Sequence, residues 1–318
     1  MSVVGIARIV PASERSRSLP SILMQNDMLA AIITAIVCSL GVLANLFVLL
    51  YSHKLSSMNS SFGTITKYIA LCNVLLCFDF LIYVFPMQLS SSSNAFLNYS
   101  HIFGLFAMIF YGSSNQSHLL IALNRFCATF LPQQYSFLFN KRSTVVLVYL
   151  TLLLSAVIYS ICYELLGCQF VFVSTYWTFH FVSNALCDTV TWYSDFVLNL
   201  SLVASTLIIN LITAFKAATE SRKLMNAIGL QVSSSQKRRE RSFITQTFMQ
   251  GIIVFLGQIT YYIVTPFLQN EVLVFFFSTL WAFMQAFEGL IILLSNRDIR
   301  NKALGRRRST TADRLVVT

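Results

Sequence analysis

Charged residues are scarce in this chain of 318 residues: only 11% are Asp, Glu, Lys or Arg, while 56% are hydrophobic. A soluble domain carries roughly 25% charged residues, so the chain has too little charge to cover a soluble surface. Proline is scarce as well, with five residues, and the apolar runs are continuous, without the residue-by-residue alternation of a transmembrane barrel. Together with a mean hydropathy of +0.69, these features predict an integral membrane protein built of helices.

Enzyme motifs are also missing. The chain has no HExxH, no G-x-S-x-G, no phosphate-cradling glycine loop and no pair of intramembrane aspartates, and its four histidines lack metal-ligand spacing. We therefore expect no enzyme activity, no cofactor and no metal. The net charge of +10 would suggest nucleic acid in a soluble protein, but in a membrane protein the positive-inside rule explains it better, so no nucleic-acid partner is expected.

Seven apolar runs are long enough to cross the hydrocarbon, which takes about 20 residues. The third is the most polar, with "GSSNQSH" at its middle. The predicted spans are 29–51, 66–89, 101–130, 144–164, 193–215, 243–266 and 272–295.

The distribution of Lys and Arg predicts the orientation. With the N-terminus outside, 19 of the 22 basic residues lie on the cytoplasmic side, and segments 90–100, 165–192 and 267–271 contain none. We therefore predict an all-α seven-transmembrane helix bundle with the N-terminus outside and the C-terminus cytoplasmic. Residues 1–28 form an extracellular tail, 29–296 the bundle and 297–318 a basic cytoplasmic tail.

Two cysteines, Cys168 and Cys187, lie in the predicted extracellular segment "CQFVFVSTYWTFHFVSNALC". An oxidising face makes them a candidate disulfide, the alternative being two unpaired thiols. The aromatic residues between them either fold over the mouth of the bundle as a lid or form an interfacial aromatic belt. Asn98, close to the start of span three, is a weak glycosylation acceptor.

Polar residues inside spans must find partners or line a cavity, so they carry most of the functional information. Asn45, Asn73, Asn115 and Gln285 are predicted to form an intramembrane polar network. Glu288, deep in span seven, must stay protonated or find a polar partner, and either state could couple to activation. Arg125, near the cytoplasmic end of span three, could reach water by snorkelling.

Several strings resemble those of a rhodopsin-type G-protein-coupled receptor. "GVLAN" lies in span one, "LNRF" resembles the DRY motif with Asn124 in place of the acid, and "EGLIILLSNRDIR" resembles the NPxxY segment with Glu288 at its Asn position. Asn73 falls where that superfamily usually has an aspartate. The aromatic-proline motif of span six and the disulfide to span three have no counterpart.

A narrower resemblance, from about residue 38 to about 304, is to the nematode chemosensory serpentine receptors of class X. Its strings are "HLLIALNRFCATFLPQQY", "GCQF", "TWYSDFVLNLSLV", "RSFITQTFMQG" and "FEGLIILLSNRDIRNKAL". This resemblance implies a plasma-membrane receptor, in the cilia of sensory neurons, that binds an external chemical cue and activates a heterotrimeric G protein. Carried over to this chain, Arg125 restrains the inactive state and then contacts the G protein. Because Asn124 cannot pair with it, Glu240 is a candidate partner.

The ligand pocket should lie in the outer half of the bundle, where each candidate has packing as its alternative role. Because span three has no outer aspartate, a neutral or hydrophobic ligand is favoured. In the basic tail, "RRRSTT" offers three sites to basophilic kinases: Ser309, Thr310 and Thr311. The alternative function is a transporter or channel with a polar path through spans three and seven. The pocket candidates are Tyr83, Tyr111, Asn115, Trp192, Tyr193 and Trp281.

Overall fold

The computed structural model describes residues 20–52, 60–89, 94–228, 248, 251–252 and 254–295. Within them, five helices are long and apolar enough to cross a membrane, and the described apolar part of a sixth is shorter. A seventh, Ser100–Phe130, has the length but carries the polar run. We label them α1 (Pro20–Ser52), α2 (Ser61–Leu89), α3 (Ser100–Phe130), α4 (Lys141–Leu165), α5 (Ala185 to Ile228), α6 (Val254–Phe267) and α7 (Glu271–Ser295).

The polar helix α3 lies at the centre of the bundle, where it packs against α2, α4 and α5. Its run Ser113–Ser117 is buried throughout, so these polar side chains face other helices and not lipid. The peripheral helix α4 is the opposite case, since it exposes Tyr149, Leu153 and Val157 to the surroundings. Hydropathy therefore tracks position: the helix with the least contact with lipid can carry the most hydrogen-bonding groups.

Four of these helices contain a π-turn at the same end of the bundle. The turns are Phe80–Val84 in α2, Ser160–Leu165 in α4, Trp192–Val197 in α5 and Thr260–Val264 in α6. A π-turn adds one residue to a helical turn and is frequent at functional sites. At this end the helices therefore widen locally and turn side chains inward that a regular helix would direct elsewhere.

An antiparallel hairpin closes that end, which we call the hairpin end. Its strands β1 (Phe170–Val173) and β2 (Thr178–Phe181) pair Phe170 with Phe181 and Val173 with Thr178. Cys168 and Cys187 flank the hairpin and are joined by a disulfide, with Cα atoms 5.0 Å apart. This bond fixes both the start of β1 and the first turn of α5.

The aromatic side chains of the hairpin point into the bundle. Phe170, Phe172, Trp177 and Phe179 are buried. The Phe179 ring lies 5.9 Å from that of Phe80 in α2. The indole of Trp177 donates to Asp27 of α1, and its carbonyl accepts from Gln88 Nε2 at 2.7 Å. The hairpin is thus a plug in the mouth of the bundle, which matches the lid alternative better than the aromatic belt.

Helices α1 and α7 approach each other closely at two small residues. A Cβ added at Gly289 would lie 2.7 Å from the backbone nitrogen of Asn45, and one at Gly41 would lie 2.6 Å from Cβ of Ala286. At the same contact Asn45 Nδ2 donates to the carbonyl of Ala286 at 3.2 Å. Small residues therefore allow the backbone approach that a buried interhelical hydrogen bond needs.

Several helices extend beyond the apolar runs that predicted them. α1 begins at Pro20, within the stretch assigned to a tail. α2 begins at Ser61 and α4 at Lys141, where the caps Ser60 and Asn140 accept from backbone N–H groups. α5 runs from Ala185 to Ile228. Hydropathy reports only the part inside hydrocarbon, whereas helical hydrogen bonding continues through polar residues at either end.

We predict that Gly289→Ala lowers the stability of the bundle. The added methyl group has no room beside Asn45, and overpacking typically costs about 1–3 kcal/mol, which exceeds the helix propensity that alanine adds. At roughly 2–4 °C per kcal/mol for a chain of this size, the thermal midpoint in detergent micelles should fall by several degrees. Gly257→Ala is the matched control, because its added Cβ would lie an ordinary 3.4 Å from Trp281 Cα. Equal midpoints for the two variants would contradict the prediction.

Candidate functional site

Glu288 of α7 is buried and holds the first part of a polar chain. Its Oε2 accepts from Asn73 Nδ2 of α2 at 2.7 Å, and its Oε1 lies 3.0 Å from His118 Nε2 of α3. Asn73 Oδ1 in turn accepts from the Ser114 hydroxyl at 3.2 Å. One carboxyl group thus ties together three helices at the middle of the bundle.

The chain continues from Ser114 toward the hairpin end. Gln285 Nε2 donates to Asn115 Oδ1 at 3.1 Å, and Asn115 Nδ2 donates to Asn199 Oδ1 at 2.9 Å. Asn199 Nδ2 donates to Asp195 Oδ1 at 2.6 Å. The Tyr262 hydroxyl of α6 donates to the other oxygen of that carboxyl, Oδ2, at 2.8 Å. Two buried acids, Glu288 and Asp195, are therefore linked through side chains of four helices, and Tyr262 adds α6 at the Asp195 end.

Ser114 is the junction of the chain. Its oxygen lies 3.2 Å from Asn73 Oδ1 and 3.4 Å from Gln285 Oε1. Both partner atoms are acceptors, and a hydroxyl has a single proton, so Ser114 satisfies one of them fully only at the expense of the other. The two halves of the chain are consequently coupled through one hydrogen.

Three spaces follow one another below the hairpin. A cleft at the hairpin end, about 650 Å³ including its open part, lies between the hairpin, α5 and α6. A small inner cavity of about 10 Å³ follows. A lower cavity of about 10 Å³ reaches His118 and Glu288. Phe181 and Tyr261 line both the cleft and the inner cavity. Tyr111 and Trp281, whose rings are 4.9 Å apart, line both the inner and the lower cavity.

The inner cavity is an aromatic chamber with two polar groups. Its aromatic walls come from α3, the hairpin, α6 and α7, and Gly257 opens one side. The polar groups are Asp195 and Gln258, of which Gln258 Nε2 donates to the Tyr111 hydroxyl at 2.9 Å. The residues that line it are Met108, Tyr111, Phe170, Phe181, Asp195, Gly257, Gln258, Tyr261 and Trp281.

The structure brings some of the predicted pocket residues together and separates others. Tyr111 and Trp281 line the inner cavity, and Asn115 lies in the polar chain directly below it. Tyr83 is buried in a stack with Phe103 and Phe179. Trp192 is half-buried behind Tyr262. Tyr193 is 64% exposed and lines none of these three spaces.

Three of the predicted network residues, Asn73, Asn115 and Gln285, lie in the polar chain, whereas Asn45 donates to the carbonyls of Gly41 and Ala286. The coupling residues are only partly described. Asn45, Asn73, Asn115 and Gln285 are all buried and hydrogen-bonded. Asn124 is buried at the far end of α3 and donates to the Tyr135 hydroxyl at 3.4 Å, beside the half-buried Arg125. Asn98 is exposed at the hairpin end. The other candidates, Glu240, Ser309, Thr310 and Thr311, lie outside the described residues.

Sequence reasoning missed the acid of the inner cavity. Asp195 precedes Asn199 by four residues, so the two share one face of a helix, and an acid next to an apolar run is costly without a partner. Those two signals could have identified it. Its contact with Tyr262 joins α5 to α6 and could not be read from spacing, because it depends on two π-turns.

His180 of the hairpin lies in the wall of the cleft, stacked between Tyr176 and Tyr261. Its Nε2 is buried and has no hydrogen-bond partner within the described part of the chain. Burial lowers the pKa of this imidazole to about 4, because the charged form loses hydration. The neutral ring therefore packs in the plug as an apolar group.

We predict that acid weakens the plug through His180. The unfolded imidazole takes up a proton near its usual pKa of about 6.5, whereas the folded one does so only near 4. Between these values the unfolded state binds more protons, so stability falls as the pH falls through this window. Thermal midpoints measured from pH 7 to pH 4 should drop less steeply in His180→Phe than in the wild type. Phe181→Leu, a control in the same strand that removes no ionisable group, should keep the wild-type slope.

Comparisons with known proteins agree with this architecture. Residues 35–296 match the family described as serpentine type 7TM GPCR chemoreceptor Srx. Serpentine receptor class X 45 of Caenorhabditis elegans is 25% identical over 303 residues, covering 88% of this chain and 83% of that protein. Serpentine receptor class X-43 of the same organism is 23% identical over 299 residues, covering 92% of each. Because the match covers most of its length, this chain belongs to the Srx family of serpentine chemoreceptors.

Proposed function

We propose that this receptor binds an external small molecule in the inner cavity and activates a heterotrimeric G protein at the opposite end of the bundle. The hairpin end would then face outside, with the N-terminus, and the end that carries Arg125 would face the cytoplasm, as the positive-inside rule favours. The plasma membrane of sensory cilia is the expected location. The observation that carries the proposal is the continuous polar chain from Asp195, in the cavity, to Glu288 and His118.

The cavity end of the chain suits recognition. The chamber is mostly aromatic with two convergent polar groups, the usual make-up of a small-molecule site. The hairpin covers it, and the disulfide holds that cover to the first turn of α5. A ligand in the chamber would contact Trp281 and Tyr111, which also form the upper wall of the lower cavity.

The lower end of the chain suits a switch. A buried acid in contact with His118 and Asn73 holds α2, α3 and α7 in one arrangement. A change of hydrogen bonding at Gln285 reaches Asn73 through Ser114, because that hydroxyl has only one proton. Differential contacts of this kind are what a ligand needs in order to shift a two-state equilibrium.

Arg125 is proposed to contact the G protein once the bundle opens. Asn124 donates to Tyr135 in the short helix Pro132–Leu138, which connects α3 to α4. This contact positions the segment next to the arginine but supplies no negative charge. Glu240 remains the proposed restraint in the resting state, and phosphorylation of Ser309, Thr310 and Thr311 is a proposed route to desensitisation.

The function is tested by expressing the full chain with a panel of G proteins, screening chemical cues and measuring guanine-nucleotide exchange. We predict that Arg125→Ala reduces cue-driven exchange at least tenfold, because the variant lacks the guanidinium proposed to contact the transducer. Arg142→Ala is the matched control: it removes an exposed arginine at the same end of the bundle, and exchange should stay within about twofold of wild type.

Two results would contradict the proposal. Full cue-driven exchange in Arg125→Ala would remove the arginine from coupling. Cue-driven ion current or substrate flux in cells without the G proteins, with no exchange at any cue, would favour the transporter or channel alternative, in which the polar chain is a translocation path.

We further predict that Glu288→Gln raises basal exchange. The substitution keeps the volume and one acceptor for Asn73 but replaces the carboxyl oxygen that contacts His118, so the resting arrangement loses part of its stabilisation. Buried polar contacts in membrane bundles contribute about 0.6–1.7 kcal/mol, which corresponds to roughly three- to seventeenfold in a two-state equilibrium. His118→Gln should raise basal exchange similarly, and the double variant should show little further increase.

Thr279→Val is the control for this experiment. Thr279 lies in the same helix, is buried, and has a hydroxyl without a hydrogen-bond partner among the described residues. Its replacement should leave basal exchange unchanged. Strictly additive effects of His118→Gln and Glu288→Gln would show that the two side chains act independently and would remove the pair from the switch.

A further inference from the structure

We propose that the inner cavity binds a small organic cation, a protonated amine carrying an aromatic or branched apolar body, with Asp195 as its counter-charge. The inference rests on the proposed function for the existence of a ligand, and it specifies the chemistry of that ligand. It reverses the preference for a neutral ligand that the sequence suggested, because the anchoring acid lies on α5 and not on α3.

Asp195 is a buried acid without a cation. Asp195 is 95% buried, and its carboxyl group is hydrogen-bonded by Asn199, Tyr262 and Gln258, all of them neutral. Within the described segments no Lys, Arg or His forms an ion pair with it. A carboxylate can accept about four hydrogen bonds, so lone pairs remain for a ligand. A buried charge is stabilised when it is paired, and here the chamber is the space from which a cation can approach.

Gln258, which is itself hydrogen-bonded to Asp195, gives a second indication of a donor. Gln258 is 97% buried, and its Nε2 donates a hydrogen bond to the Tyr111 hydroxyl at 2.9 Å. Its Oε1 has no hydrogen-bond partner among the described residues. The chamber therefore presents two hydrogen-bond acceptors, a carboxylate and an amide oxygen. The protein itself does not use all of their lone pairs. An ammonium group carries three donors and no acceptor, which is the complement of this pair.

The remaining walls also favour a cation. Five of the lining residues carry aromatic rings: Tyr111, Phe170, Phe181, Tyr261 and Trp281. Ring faces attract cations through their quadrupole, most strongly in a site shielded from water. An anionic ligand would meet both this aromatic surface and the carboxylate of Asp195, so the chamber selects against acids. The same rings provide apolar contact for the body of the ligand.

The size of the chamber limits the body of that ligand. The chamber has a volume of about 10 Å³, which is room for about one water molecule, so a ligand must displace side chains of the wall. Entry from the cleft requires displacement of Phe181 or Tyr261, the two residues that line both spaces. A primary amine with a single aromatic ring or a short branched chain would require the smallest such displacement.

The test compares charged ligands with neutral isosteres on the purified full-length receptor in lipid nanodiscs, without G protein. The probes are 2-phenylethylamine, isoamylamine and tryptamine, each paired with its alcohol: 2-phenylethanol, isoamyl alcohol and tryptophol. Titration at neutral pH, followed by thermal shift and by calorimetry, should give at least one amine a dissociation constant at least tenfold lower than that of its alcohol.

Two aspartate variants then assign the binding to the chamber. Asp195→Asn removes the charge but keeps the shape and an acceptor for Tyr262, and the preferred amine should lose at least tenfold in affinity, while its alcohol changes little. Asp79→Asn is the matched control, since Asp79 is equally buried in a span and has an unpartnered oxygen within the described residues, yet does not line the chamber. If Asp195→Asn does not fold, Gln258→Leu replaces it, with a loss of about threefold or more expected.

The outcomes separate this inference from the proposed function. Alcohols that bind as tightly as amines, amine affinity unchanged by Asp195→Asn, or no binding by any of the three amines would overturn the cation site. A neutral cue that drives G-protein exchange would leave the proposed function standing alone. Amine binding that depends on Asp195, without exchange by any G protein, would support the site and overturn the proposed coupling.

Discussion

A carboxyl group inside a membrane bundle must find partners within the protein, and the arrangement of this receptor follows from how its two central acids do so. Glu288 is in contact with an imidazole and an amide, His118 and Asn73, on two other helices. Asp195 is in contact with an amide and a phenol, Asn199 and Tyr262, and so has neutral partners only. The first acid has a partner that can carry positive charge, whereas the second has none among the described residues. Burial of charge is costly unless it is paired. The protein therefore supplies a pairing group for Glu288, whereas the described residues supply none for Asp195.

The packing of the helices reflects the same division. Around Glu288 the backbones approach closely, because Gly41, Gly289 and Ala286 leave no side-chain bulk between α1 and α7, and close-packed interfaces resist gradual deformation. Around Asp195 the helices α5 and α6 each contain a π-turn and enclose cavities. Their contact is made through aromatic rings and one tyrosine hydroxyl. Such a contact can repack more readily, so the adaptable part of the bundle adjoins the chamber, and the close-packed part surrounds Glu288.

Much of this architecture could be predicted from the sequence, and the remainder has identifiable physical reasons. Hydropathy predicted the spans because a helix that crosses the hydrocarbon must be apolar over that length. It placed the start of α1 nine residues late, because it does not detect polar residues at the end of a helix. Asn73, Asn115, Gln285 and Glu288 were recognisable as polar groups that need partners in a membrane. Their partners across the bundle were not, since Asn115 reaches Asn199 only through the relative rotation of α3 and α5. Asp195 was missed because its partner Tyr262 lies on another helix, so the contact between them cannot be read from spacing along the chain.

The single proton of Ser114 explains how a ligand at one acid could be felt at the other. When that proton serves Asn73, the amide remains oriented toward Glu288, and Gln285 is left to its bond with Asn115. A cation at Asp195 polarises the donors Asn199 and Asn115 in sequence, because each hydrogen bond in a chain strengthens or weakens its neighbour. The strength of the hydrogen bond from Ser114 to Gln285 then changes, and the hydrogen bond between Asn73 and Glu288 changes with it. Such coupling is reciprocal by thermodynamic necessity. Whatever releases Glu288 from Asn73 must equally alter the affinity of the chamber, so a G protein that stabilises the open bundle would change ligand affinity without touching the ligand.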